Sequence, residues 1–177
     1  APGALADWLR AQGFTADLVV LERLGGVSER VRQTTAEAFD LADIAAPVAM
    51  AVAITSGKGL PCTSGLPDAL FAHDGQITKR PIRALTLSAL APRGGEVLWD
   101  IGAGSGSISV EWCLAGGRAI AFELRPDRAA NIRENAARFG VEHRLQVIEG
   151  PSAENLAGQP APDAVFIGGL ADGLFPH

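Results

Sequence analysis

Three groups of residues have the types and spacing to do chemistry: Asp100, the glycines Gly102, Gly104 and Gly106, and Glu123. The stretch from Glu96 to Ser107 reads EVLWDIGAGSGS, an apolar run that ends in an acid and then alternates glycine with small residues. Without Cβ atoms, such a backbone turns sharply and lets a ligand approach closely. The spacing is G-x-G-x-G, with the third glycine one residue too early for the dinucleotide fingerprint. No Gly-Lys-Ser/Thr follows, so it is not a Walker loop. Asp100 stands two residues before the first glycine, near where a cationic or amino group would sit. Glu123 comes about 20 residues further on, where an acid at a strand end accepts from both ribose hydroxyls. EGPSAENL (149–156) follows a third apolar run, where a loop can flank an adenine edge.

An acid, a glycine loop, a second acid and a third-strand loop together match the layout of an S-adenosylmethionine site in class I methyltransferases. The expected donor contacts are Asp100, Gly102, Ala103, Gly104, Ser105, Gly106, Glu123, Leu124, Gly150, Ser152 and Ala153. S-adenosylmethionine has no phosphate, so the loop would cradle an amino acid and a sulfonium, which an adjacent acid suits. A phosphate-bearing cofactor, or a glycine turn with no ligand, are the alternatives.

The elements that must hold these residues alternate regularly. A helix is predicted over 82–91, entered through Pro81, where a first-turn proline is tolerated. Strands are predicted over 96–102, 118–124, 145–150 and 163–169, with helices over 105–115, 126–139 and 153–156 between them. That alternation predicts a parallel, doubly wound, Rossmann-like α/β sheet. The fourth strand is apolar on both faces, as a central parallel strand is, and further strands are expected beyond it. The chain is therefore expected to be truncated at its C-terminus.

Ser56 to Pro67, SGKGLPCTSGLP, lacks hydrophobic periodicity and reads as a linker, set at 56–70. Residues 71–177 are expected to form the methyltransferase domain. Residues 1–55 read as the closing part of another α/β domain: a helix over 4–12, a strand over 16–24, a short helix over 27–38, and a buried strand over 47–54.

Composition narrows the function. The 177 residues carry a net charge of −5, which argues against a general nucleic-acid binder. No apolar run reaches the ~20 residues a membrane helix needs. The two cysteines, Cys62 and Cys113, have no metal or disulfide spacing, which points to a reducing, cytoplasmic setting and no metal site. Between His73 and Arg93 stand four cations, Lys79, Arg80, Arg83 and Arg93, against one acid, Asp74. That local excess suits a small polyanionic substrate; a solvated helix face is the plainer reading. At the fourth strand there is no Asn/Asp-Pro-Pro-aromatic motif to grip a planar amine. An electron-rich carbon nucleophile, which needs alignment and desolvation rather than a strong base, is favoured instead.

The segment FAHDGQITKRPIRALTLSALAPRGGEVLWDIGAGSGSISVEW, with FIGG on the fourth strand, resembles the C15-methyltransferase and decarboxylase domains of corrin biosynthesis. Upstream, VLERLGGVSERVRQTT resembles the end of a tetrapyrrole methylase domain. The two in this order resemble fused corrin-pathway enzymes that methylate a precorrin at C5 and C15 and decarboxylate its ring C acetate. That resemblance implies S-adenosylmethionine as cofactor and a polycarboxylate tetrapyrrole as substrate, with this chain carrying mainly the C15 and decarboxylation part. Thr78, Lys79 and Arg83 would hold substrate carboxylates or hydroxyl-bonding groups, together with Gly168 and Gly169. His73 is the candidate proton donor, set against a plain loop residue. A homo-oligomer is compatible with the sequence. Class I methylation of another substrate such as tRNA, and a non-catalytic donor-binding module, are the rival readings. Trp112, Cys113 and Met50 read as core, Glu111 as a helix-face charge, and Asn131 and Asn135 as capping or solvent-facing.

Overall fold

Strand pairing follows from the alternation of short apolar runs with amphipathic helices. A computed structural model describes residues 1–57 and 59–168. It divides into two units, one from Ala1 to Leu60 and one from Pro61 onward.

In the first unit, α1 (Pro2–Ala11) is followed by β1 (Thr15–Glu22), β2 (Arg30–Thr35) and β3 (Val48–Ser56). The strands form an antiparallel sheet in the order β2-β1-β3. Ala16 and Leu18 of β1 pack with Ala6 and Leu9 of α1, and Met50 packs against this cluster. Two expectations fail here. Residues 27–38 do not form a helix; Arg30–Thr35 is a strand paired with β1 in register Glu22 to Arg30 and Val20 to Arg32. The reason is one buried carboxylate. Glu22 is fully buried and accepts from Arg30 Nε at 2.9 Å, Arg32 Nε at 3.0 Å and the Ala45 amide at 2.7 Å. Two cations at i and i+2 reach one point only with a strand's period of two. The guanidinium of Arg30 and the Ala45 amide hold the Glu22 carboxyl down at about 2. The second failure is β3, expected to be buried: Val48, Val52 and Ile54 are exposed.

The second unit begins before its first long helix. A turn of 3-10 helix at Asp68–Leu70 leads to α2 (Arg80–Leu90), β4 (Val97–Ile101), α3 (Ser107–Leu114), β5 (Arg118–Glu123), α4 (Pro126–Arg138), β6 (Leu145–Glu149), α5 (Ser152–Asn155) and β7 (Ala164–Ile167). All four strands are parallel, in the order β6-β5-β4-β7. The chain winds one way from β4 to β6 and then crosses to the other side of β4. This reversal places the switch point of the sheet at the C-terminal ends of β4 and β7, where open α/β sheets bind ligands in a crevice. Among the described residues β7 stands at the end of the sheet. Residues 65–70, expected within the linker, belong to this unit: Leu66 and Phe71 join its core.

α3 is buried from Ser107 to Cys113, which is why its sequence shows no polar face. Trp112 at its centre is fully buried, a contribution of about 3 kcal/mol. Cys113 is buried beside it, and loss of solvent pushes its thiol up to about 12. Among the described residues, no helix is long and apolar enough to cross a membrane.

Candidate active site

The crevice is built by the turn that leaves β4. Gly102, Gly104 and Gly106 all have positive φ, at 70°, 60° and 70°. Gly106 caps α3, and a Cβ there would sit 2.7 Å from Ile132 of α4. Among the described residues a Cβ on Gly104 would meet only the Gln76 carbonyl, at 3.7 Å. Gly168, at the end of β7, donates its amide to the Ile101 carbonyl at 2.8 Å. The C-termini of β4 and β7 therefore meet at the mouth.

Asp100 is 1% exposed. Its Oδ2 accepts from the Ser109 hydroxyl at 2.6 Å, while its Oδ1 is buried with no hydrogen-bond partner among the described residues. Burial, together with the Glu123 charge, raises its carboxyl to about 6, and the Ser109 hydrogen bond only partly offsets this. A buried carboxylate oxygen with no donor costs stability. It fits a group that a cationic or N–H-bearing ligand completes.

Glu123 ends β5 and is buried. Its Oε2 accepts from the Gly104 amide at 2.7 Å and its Oε1 from the Arg125 amide at 3.0 Å. Each oxygen keeps a second lone pair. The Glu123 side chain thus pins the glycine loop and stays able to accept from hydroxyls. Gly150 donates to the Glu123 carbonyl at 3.0 Å, which brings the loop after β6 to the same edge. Ser152 and Ala153 open α5 there, and Leu124 is exposed beside Glu123. Ala103 and Ser105 lie within the loop, Ser105 buried.

The substrate-side candidates divide. Lys79 is the exposed N-cap residue of α2, and Thr78 is half-buried beside it. Gly168 is at the mouth; Gly169 lies outside the described residues. Arg83 is corrected. It is fully buried, and its donors are spent on the protein: Nε donates to Glu111 at 2.6 Å, Nη2 to Asp68 at 3.0 Å and to the Leu66 carbonyl, and Nη1 to the Thr78 carbonyl. Its guanidinium carbon lies 4.8 Å over the Phe71 ring. Such a group cannot reach a substrate carboxylate. Glu111, expected as a helix-face charge, is the other half of this cluster and also accepts from the Gly65 and Leu66 amides at 2.6 and 2.9 Å. His73 is exposed, and its Nδ1 accepts from the Gly75 amide at 3.0 Å.

One residue at the site is not legible from spacing. Asn135, expected at the surface, is fully buried and binds both Ala72 and the Ser105 carbonyl. The only signal is its place three residues after Ile132, on the buried stripe of α4.

The profile of a family described as the precorrin methyltransferase domain matches residues 69–175. The chain is 52% identical over 174 residues to the precorrin-6Y C(5,15)-methyltransferase (decarboxylating) of Sinorhizobium sp, a match covering 95% of this chain and 42% of that protein. It is 39% identical over 112 residues to the probable cobalt-precorrin-6B C(15)-methyltransferase (decarboxylating) of Pyrobaculum calidifontis, covering 60% of this chain and 57% of that one. The solved C-terminal domain of precorrin-6Y C5,15-methyltransferase from Rhodobacter capsulatus superposes with a TM-score of 0.61 at 59% identity, covering 62% of this chain and 60% of that chain. The chain thus spans about two fifths of the length of the first of these relatives (42%).

Proposed function

Because the chain belongs to the precorrin methyltransferase domain family, we propose that its second unit binds S-adenosylmethionine in the β4–β7 crevice and methylates a carbon of a precorrin, with loss of carbon dioxide from an acetate side chain. The observation that carries the donor half is the orphaned Oδ1 of buried Asp100, beside a glycine turn with room for a ligand. An anionic Asp100 would attract the donor's cationic amino acid end. Glu123, with lone pairs to spare, would accept from the ribose hydroxyls, and Gly150, Ser152 and Ala153 would flank the adenine. The donor supplies an electrophilic methyl group bound to a sulfonium.

The protein's own part in the transfer is alignment and exclusion of water. Asp100, Glu123 and the glycine turn would hold the donor with its methyl facing a macrocycle carbon, which would take the methyl and release a proton, for a net gain of CH2. In the decarboxylation the C–C bond to the carboxylate breaks, and its electron pair enters the conjugated macrocycle, where a proton is taken up. Lys79 and Thr78, at the start of α2, would bind peripheral carboxylates, with Gly168 at the end of β7; Gly169, outside the described residues, keeps the substrate-binding role proposed from sequence. Arg83 has no part in that contact. His73, exposed in the segment before α2, keeps the proton-donor role proposed from sequence.

The C5 transfer of the longer relatives is proposed for the region to which residues 1–55 belong, and the described first unit holds none of the donor residues named above. A reducing cytoplasm suits the two free thiols, exposed Cys62 and buried Cys113. The test has two stages. Calorimetry with S-adenosylhomocysteine is expected to show saturable heat, and none at millimolar ligand would sink the donor site. Incubating the chain with a precorrin and S-adenosylmethionine is expected to give a product that has gained CH2 and lost CO2 by mass spectrometry. Donor binding with methyl transfer to RNA instead would overturn the substrate assignment.

A further inference from the structure

We infer that Asn135 is a positioning residue that couples the donor loop to the substrate-side segment 72–78, an inference that rests on the donor-site reading above. The two segments are far apart in sequence, and the side chain of Asn135 bridges them. Its Oδ1 accepts from the Ala72 amide at 2.7 Å, and its Nδ2 donates to the Ala72 carbonyl at 2.9 Å and to the Ser105 carbonyl at 2.9 Å. A carboxamide is the one side chain that offers an acceptor and two N–H donors on a single rigid plane. The residue is fully buried, so water cannot replace any of the three bonds.

The rest of the segment is held in the same frame. Asp74 accepts from Arg128 of α4 at 2.9 Å, and its other oxygen accepts from the Gln76 amide at 3.0 Å. The Gln76 carbonyl lies against Gly104. The Thr78 carbonyl accepts from buried Arg83. Residues 72–78 therefore form a strap beside the glycine loop, and the strap leads through Thr78 into Lys79, the N-cap of α2. α4 serves as the common template: Ile132 fills the space that Gly106 leaves, and Asn135, one turn on, ties the loop carbonyl to the strap. Ordering of the loop by a donor should be transmitted to the strap chiefly through this side chain, which alone of these links hydrogen-bonds both segments.

Hydrogen exchange with S-adenosylhomocysteine tests the coupling on the wild-type chain. The ligand is expected to slow exchange in peptides covering 102–107 and, together with them, in peptides covering 72–78. In Asn135→Asp, which keeps the shape but replaces the two N–H donors, the loop should still be protected and the strap should not. S-adenosylhomocysteine should bind this variant on the order of tenfold more weakly, the scale expected when buried carbonyls lose their donors. A role confined to packing would lower the melting temperature and leave the linked pattern intact, and that result overturns the inference. So does wild-type protection of 102–107 with 72–78 unchanged, which decides the question even if the variant fails to fold. A wild-type chain that binds no S-adenosylhomocysteine removes the donor site itself; binding with an unlinked strap removes only the coupling.

Discussion

Among the described residues of the second unit three carboxylates are buried, and two of them, Glu111 and Asp100, have opposite surroundings. Glu111 is 5% exposed and saturated: one guanidinium and two backbone amides donate to it. Asp100 is 1% exposed and half satisfied, with one hydroxyl on Oδ2 and nothing on Oδ1. A saturated buried ion is a joint: here it ties residues 65–68 and the carbonyl of Thr78 to α2 and α3. An unsaturated one is a site, since the missing partner must come from outside or the desolvation cost stands unopposed. Glu22 in the first unit is of the saturated kind, which agrees with its low pKa, whereas the pKa of Asp100 is raised.

The comparison breaks first at Glu111. Glu111→Ala leaves the Arg83 charge buried without its partner and strips the Gly65 and Leu66 amides of their acceptor. Urea unfolding at neutral pH should show a loss of about 3–5 kcal/mol. Replacing both members, as Arg83→Met with Glu111→Leu, should recover a large part of that loss. If Glu111→Ala alone leaves stability unchanged, the cluster is not a joint.

Asp100→Asn should move in the other direction. An acid whose carboxyl sits near 6 in the folded protein, against an ordinary 3.8, favours folding only while protonated. Its contribution to stability is full below about pH 4 and is lost as pH rises through about 6. The neutral amide removes that loss. The variant should therefore be more stable than the wild type by roughly 2–3 kcal/mol above pH 6, with the difference vanishing near pH 4. Calorimetry should show S-adenosylmethionine binding weakened by tenfold or more. Higher stability with unimpaired binding would make Asp100 an ordinary buried acid.

The joints were the least legible part of the chain, and the frame the most. Strands 97–101, 118–123 and 145–149 fall inside their expected ranges because each is a short apolar run closed by Gly, Pro or a charged turn. The glycine loop, Asp100 and Glu123 could be placed because their spacing follows from strand-turn-helix geometry alone. Arg83 and Asn135 could not. Both are polar residues on amphipathic helices, and periodicity assigns such residues to solvent unless a partner far along the chain is known. Arg83 finds Glu111 28 positions away, and Asn135 finds Ala72 63 positions away. The strand Arg30–Thr35 was misread for a related reason: its period-two signal is charge, not hydrophobicity, and it makes sense only once Glu22 is seen between Arg30 and Arg32.

Gly104→Ala sharpens the comparison on a smaller scale. The positive φ costs an alanine about 1 kcal/mol, and no atom of the described residues crowds the new methyl closer than 3.7 Å. Stability should fall by that modest amount, while calorimetry finds S-adenosylhomocysteine binding severely reduced, because the methyl projects into the cradle. Gly106→Ala is the control: its methyl would meet Ile132 at 2.7 Å, so it should lose stability well beyond the cost of φ.

The smallest effect on the fold is expected at Lys79, and its value lies in the contrast with Arg83. The two cations are four residues apart at the start of one helix, and sequence alone gave them the same role. Lys79 is exposed at the N-cap and makes no ion pair among the described residues, whereas Arg83 holds four partners in the interior. Lys79→Ala should change stability by less than about 0.5 kcal/mol. It should leave S-adenosylhomocysteine affinity as it is and weaken the polycarboxylate substrate several-fold, an effect that fades as salt screens exposed charges. A loss of donor affinity in this variant would move Lys79 out of the substrate site and onto the strap's own scaffold.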